Sequence, residues 1–176
     1  MKTRFAALIV ACILVSTGCA RYHMGSVMHP NVHSIAIPAI ANDTNEPRLG
    51  PLAQSKVRAA FVRDGSLKVL DDEDAADCVL IAKVVNYSYQ SRGQVQNRSS
   101  DADQEVYVST IYAATVTISY QVIRPGTDKP LVSWRTATGE AEFTELPDLE
   151  VARADAWGIA LADAAEDVCA GVTEAW

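Results

Sequence analysis

Cysteine is the residue type in this chain with the most definite chemistry, and its four positions fall into two pairs. Cys19 follows Gly18 at the end of an apolar run, where Leu14-Val15-Ser16-Thr17-Gly18-Cys19 resembles a lipobox. In such a motif the thiol takes a thioether-linked diacylglycerol, and cleavage then makes Cys the mature N-terminus. Acyl chains anchor through buried methylenes worth about 0.8 kcal/mol each, and several chains together hold stably. Ser16 stands where Leu is usual, and Ala20 follows the Cys, as in lipoproteins sorted to the outer membrane. Cys12 would leave with the cleaved segment, which leaves Cys78 and Cys169. In an exported protein two leftover thiols are expected to pair, because disulfides persist there. Two buried small apolar residues are the alternative reading.

Other chemistry is sparse. His23, His29 and His33 lie in or beside a polar lead-in that offers no rigid shell for a metal, so no metal site is expected. The chain has no GxSxG, HExxH, P-loop or Gly-rich dinucleotide turn, and no cofactor or enzymatic activity is expected. Carboxylates are plentiful, but on faces assigned to solvent, where unperturbed groups do no acid–base work. Arg92, Arg98 and Lys129, in two predicted loops, are candidates for contact with a phosphate-bearing ligand. Solvated loop charge is the other reading of all three.

The segment before Cys19 has the three parts of an export signal. Lys2 and Arg4 give a positive start, Phe5 to Val15 an apolar stretch, and Ser16-Thr17-Gly18 a small-residue cleavage site. The stretch is shorter than the roughly 20 residues that cross a bilayer. Residues 1–18 are therefore expected to be a signal peptide, residues 19–32 a lipidated tether, and residues 33–176 a single domain. Loss of Lys2 and Arg4 would take the formal charge from −7 to −9. An acidic domain of this kind disfavours nucleic acid as a partner.

The elements that would position these residues follow from hydrophobic period. Ser34-Ile35-Ala36-Ile37 alternates and stops at Pro38, a short strand. Pro51 opens a predicted helix with Ala53, Val57, Ala60 and Phe61 on one face, ended by Asp64-Gly65. Leu67 to Leu70 is a short extended piece. Cys78 to Tyr89 reads as a strand, Gln90 to Gln104 as a flexible connection, and Glu105 to Arg124 as a long strand of period two. Pro125 to Pro130 turns the chain, and Leu131 to Phe143 returns. Asp148 is a candidate N-cap for a final Ala-rich helix with Leu149, Ala152, Ala156, Ile159, Ala160, Val168, Cys169 and Val172 inward.

The order β-α-β-β-β-α predicts an α+β fold, with two helices on one face of a mostly antiparallel four-stranded sheet. Three alternating strands and a returning helix would bring Cys169 to the end of the sheet where Cys78 starts its strand. The opposite face would carry Tyr87, Tyr89, Tyr107 and Ile111 among Ser and Thr. An uncovered face with several aromatics reads as an interface, and scattered exposure is the plainer alternative.

Several stretches, taken in order, resemble LptE-type lipopolysaccharide-assembly lipoproteins. They are Cys19-Ala-Arg-Tyr-His-Met-Gly25, Ser34-Ile-Ala-Ile-Pro38 with Asn42-Asp-Thr-Asn-Glu-Pro-Arg-Leu49, Asp64-Gly-Ser-Leu-Lys-Val-Leu70 and Ala75-Ala-Asp-Cys-Val-Leu80. The resemblance implies a small α/β domain at the outer membrane, facing the periplasm or a barrel lumen. It also implies that the domain plugs an LptD-like β-barrel, assists that barrel's assembly and contacts lipopolysaccharide during export. An outer-membrane lipoprotein that regulates a periplasmic cell-wall synthase is the second reading. Co-purifying protein would separate the two.

Overall fold

The computed structural model describes residues 31–96, 108–127, 130–144 and 148–174. Two short strands open the fold: β1, Ser34–Ala36, and β2, Ala41–Asn42. Helix α1, Leu49–Asp64, follows, with Pro51 in its first turn, where a missing N–H costs no intrahelical bond. It stops where Gly65 adopts φ 71° and its N–H bonds the Phe61 carbonyl, a left-handed conformation that Gly reaches without a Cβ clash. Strand β3, Lys68–Leu70, is short. Three long strands come next: β4, Cys78–Gln96; β5, Val108–Ile123; and β6, Pro130–Thr144. Helix α2, Leu149–Thr173, closes the chain.

The sheet runs β3-β1-β4-β5-β6, with β2 paired to β4 off that path. The fold is α+β with two helices, as expected, on a mixed six-stranded sheet, which corrects the expected mostly antiparallel four strands and the expected element order. β1 lies between β3 and β4 and pairs with both in parallel, while β4, β5 and β6 form an antiparallel meander. The piece at 67–70 is extended for a tertiary reason: it pairs its backbone along β1.

Both helices pack on one face. Leu49, Val57 and Phe61 of α1 and Leu161, Ala164 and Val168 of α2 join Leu80, Val84, Val116, Ile118 and Val122 of the sheet in one buried cluster. The even positions of β5 from Ala114 to Val122 are buried, as its alternation predicts. Val32, assigned to the tether from sequence, is buried in this core as well.

Three assignments shift. β4 extends to Gln96, through residues expected to be a flexible loop. In α2, Ala156, Ala160, Val168, Cys169 and Val172 are buried as expected, but Ile159 is exposed, and Trp157 and Leu161 complete the packed face in its place. Asp148 caps α2 as expected, accepting from the Glu150 and Val151 amides.

The third shift concerns the tyrosines. Val84 pairs with Ile118 and Asn86 with Thr117, so Val85 is an extra residue in β4. Before this bulge the even positions Leu80, Ala82 and Val84 face the helices. One added residue reverses that parity, because side chains alternate with period two. Tyr87 and Tyr89 consequently pack against the helix-side core and not on the opposite face. Tyr107 lies outside the described residues.

Candidate partner interface

The reversal collects aromatic side chains at one end of the helix-side face. Tyr87 meets Trp157 edge-on at 6.0 Å, and Tyr89 lies 5.9 Å from both Trp157 and Phe143. Phe143 stacks on Tyr112 at 5.4 Å. The five rings come from four places: Tyr87 and Tyr89 from β4 past its first bulge, Tyr112 from the start of β5, Phe143 from the end of β6 and Trp157 from the third turn of α2.

The helix N-termini supply two cations above these rings. The Arg48 guanidinium, just before α1, sits 4.9 Å from the Trp157 ring centre, and that of Arg153 sits 5.2 Å from Tyr89. Such contacts are worth about 0.5–1 kcal/mol at accessible positions. Each cation also has a carboxylate. Arg48 Nε donates to Glu46 at 2.7 Å, and Arg153 Nη1 to Glu150 at 2.9 Å. The hydrogen bond from Arg48 holds the Glu46 carboxyl below its usual range.

Among the described residues, three buried side-chain polar atoms lack a hydrogen-bond partner: Tyr89 Oη, Arg153 Nε and Trp157 Nε1. All three belong to this cluster. Trp157 is only 6% exposed. An unsatisfied buried donor costs about 1–3 kcal/mol, so three together oppose folding appreciably unless something else meets them. Burial chiefly pushes the Tyr89 hydroxyl up, against the opposing pull of Arg153, so it stays a neutral phenol at physiological pH.

The opposite sheet face is built of hydroxyls. Thr115, Thr117, Ser119 and Gln121 of β5 line it beside Thr136 and Thr138 of β6, and the Thr117 and Thr138 hydroxyls lie 3.1 Å apart. Ile111 is half-buried near its far end. A small apolar patch of Ala36, Ala76 and Val79, with Leu70 and Ile123 against it, sits at the other end. The aromatic surface expected on this side is therefore a polar one.

The sequence candidates scatter. Arg92 is the extra residue at a second β4 bulge, between Ser91 and Gly93, and its guanidinium pairs with Glu140 of β6. Its charge is thus committed within the sheet and not carried on a loop. Arg98, Lys129 and Cys19 lie outside the described residues, as do His23 and His29. His33 contributes its backbone N–H to the Asp77 carboxylate. Among the described residues no group of three His, Cys, Asp or Glu could hold a metal ion, and no helix is long and apolar enough to cross a membrane.

Cys78 and Cys169 are both buried as free thiols in this structure. They do occupy the same end of the fold, yet they point to different neighbours. Cys78 Sγ donates to the Ser34 carbonyl at 3.4 Å, at the β1–β4 seam. Cys169 turns to the other helix and lines a cleft of about 430 Å³ with Ala60, Arg63, Asp64 and Glu166. Burial pushes each thiol up to about 12.

The architecture defines a class: a two-layer α+β domain whose helices shield one side of a mixed sheet and leave a hydroxyl-rich side open. The LptE lipopolysaccharide-assembly family model matches residues 32–170, and the chain belongs to that family. No curated protein matches the chain. Solved structures resemble the chain at low identity. Protein XCC0632 from Xanthomonas campestris is 14% identical with a TM-score of 0.50, over 77% of this chain and 81% of that one. A minor lipoprotein from Acinetobacter baumannii is 10% identical (TM-score 0.48), over 78% and 90%. The PelC dodecamer subunit from Paraburkholderia phytofirmans is 16% identical (TM-score 0.44), over 88% and 92%.

Proposed function

We propose that this protein is an outer-membrane lipoprotein, held by acyl chains on Cys19, that plugs an LptD-like β-barrel. In that role it assists the barrel's assembly and takes part in lipopolysaccharide export to the cell surface. The observation that carries the reading is the family match over residues 32–170. Two features of the chain support it. The open sheet face offers a broad array of neutral hydroxyls beside the paired charges of Lys83 and Glu140, groups that can hydrogen-bond a protein wall. The helix-side cluster leaves three donors unmet, as expected of a surface completed by something outside the chain. Neither feature needs a reaction, and the role is one of binding and positioning.

Extraction in mild detergent tests the reading. The expected result is a stoichiometric outer-membrane β-barrel protein bound to this one, and a mature N-terminus acylated at Cys19. Recovery of a cell-wall synthase in place of the barrel would overturn the assignment, and an unmodified Cys19 would overturn the anchor.

A further inference from the structure

We propose that the aromatic cluster between the two helix N-termini is a binding site for a slim, uncharged amide: the side chain of an Asn or Gln carried by a partner polypeptide. The proposal rests on the reading that this domain works against a protein partner, and it names the group that the partner supplies.

The orphaned atoms set the chemistry. Trp157 Nε1 and Arg153 Nε can only donate, and Tyr89 Oη can donate or accept. A primary amide meets all three. Its carbonyl oxygen has two lone pairs for the indole and guanidinium N–H groups, and its NH₂ donates to the tyrosine oxygen. The three atoms belong to side chains packed side by side. Tyr89 and Trp157 are 5.9 Å apart, and the Arg153 guanidinium is 5.2 Å above Tyr89.

Charge excludes an anion as the preferred guest. Arg48 and Arg153 are matched by Glu46 and Glu150, so the cluster has no surplus positive charge to compensate a carboxylate or phosphate. Shape excludes a sugar ring. A pyranose needs an open aromatic face, but Arg48 covers Trp157, Arg153 covers Tyr89, and Tyr112 and Phe143 stack on each other. A flat amide on a narrow stem needs none of these faces. Entry requires the covering arginines to move, and the bond of Arg153 to Glu150, whose side chain is 73% exposed, holds it weakly.

The test follows the Trp157 indole N–H in the full chain by ¹⁵N-resolved NMR, the resonance being assigned by its loss in Trp157→Phe. Acetamide is expected to shift it saturably and leave the Trp134 indole unmoved. In Tyr89→Phe, which keeps the ring, acetamide should bind about threefold or more weakly. Glucose, a pyranose without an amide, should have no effect. The proposal is overturned if acetamide leaves Trp157 unmoved, if glucose shifts it as strongly, or if Tyr89→Phe binds acetamide as well as the parent. A barrel that co-purifies while acetamide fails removes this site alone. Acetamide binding with no co-purifying protein keeps the amide site and removes the partner reading.

Discussion

Gly139 of β6 lies directly beneath Ala160 of α2, so close that a Cβ at position 139 would come within 1.9 Å of the Ala160 carbonyl oxygen and 2.4 Å of the Ala164 amide nitrogen. The long final helix therefore rests on bare backbone at this point. Its Ala-rich inward face (Ala156, Ala160, Ala164 and Ala165 are all buried) is what lets it come so near.

Gly139→Ala is accordingly expected to destabilise the fold by about 3 kcal/mol, since both colliding atoms are backbone and cannot turn aside. Gly171→Ala meets the Tyr120 hydroxyl at 2.1 Å, a side-chain end that can move, and should cost about half as much. Urea denaturation of the two variants checks the order. Equal losses would show that the helix can slide off Gly139.

Asp77 is the stitch between the loop before β4 and the start of β1. Its carboxylate accepts from the His33 amide, the Ser34 amide and the Ser34 hydroxyl at 2.8–2.9 Å. The His33 amide bond is the largest influence that holds its pKa below the usual carboxylate range. Because the folded value is depressed, the contribution is present above the unfolded value of about 3.9 and is lost as pH falls through the folded one. Asp77→Asn should cost about 1–3 kcal/mol at neutral pH and flatten the stability loss below about pH 4. An unchanged acid limb in the variant would assign that loss to other carboxylates.

The two buried thiols carry the opposite sign. Their folded values are raised to about 12, so the protonated form is the one the fold favours. Stability from this source is intact below the unfolded value of about 8.5 and is lost as pH rises toward 12. In the native protein at pH 8, Cys78 and Cys169 are expected to resist a thiol reagent and to react fully in urea. An intact mass two units lower without reductant, and two fewer titratable thiols in urea, would mean that they are bridged after all.

Tyr89→Phe should raise stability by about 1 kcal/mol in the isolated chain, because it removes an unmet buried hydroxyl and keeps the ring against Trp157 and Phe143. Thermal unfolding measures it. A lower melting temperature would show that the hydroxyl has a partner in solution.

Much of this architecture can be read from residue order. The alternation of Ala114, Val116, Ile118, Tyr120 and Val122 marks β5, Gly65 marks the end of α1, and Asp148 marks the start of α2. These are local signals, written in period or in one capping residue. The parallel pairing of β1 with β3 depends on a partner more than thirty residues away and leaves no periodic trace in three-residue strands. The position of Trp157 was obscured because Ala fits either side of a helix face, so spacing alone gave the middle of the packed face of α2 and not its edge. The candidate interface was the least legible part. Tyr87 and Tyr89 were visible as a pair, but their side of the sheet depended on Val85, which nothing in its neighbours' types distinguishes from an ordinary strand residue.

That single valine has a bearing on how such hairpins can change length. Removing Val85 would turn every later residue of β4 over, sending two phenol rings to the hydroxyl side and Ser88 and Gln90 under the helices. Viable relatives should therefore gain or lose residues along this arm in twos, or should move the irregularity without erasing it.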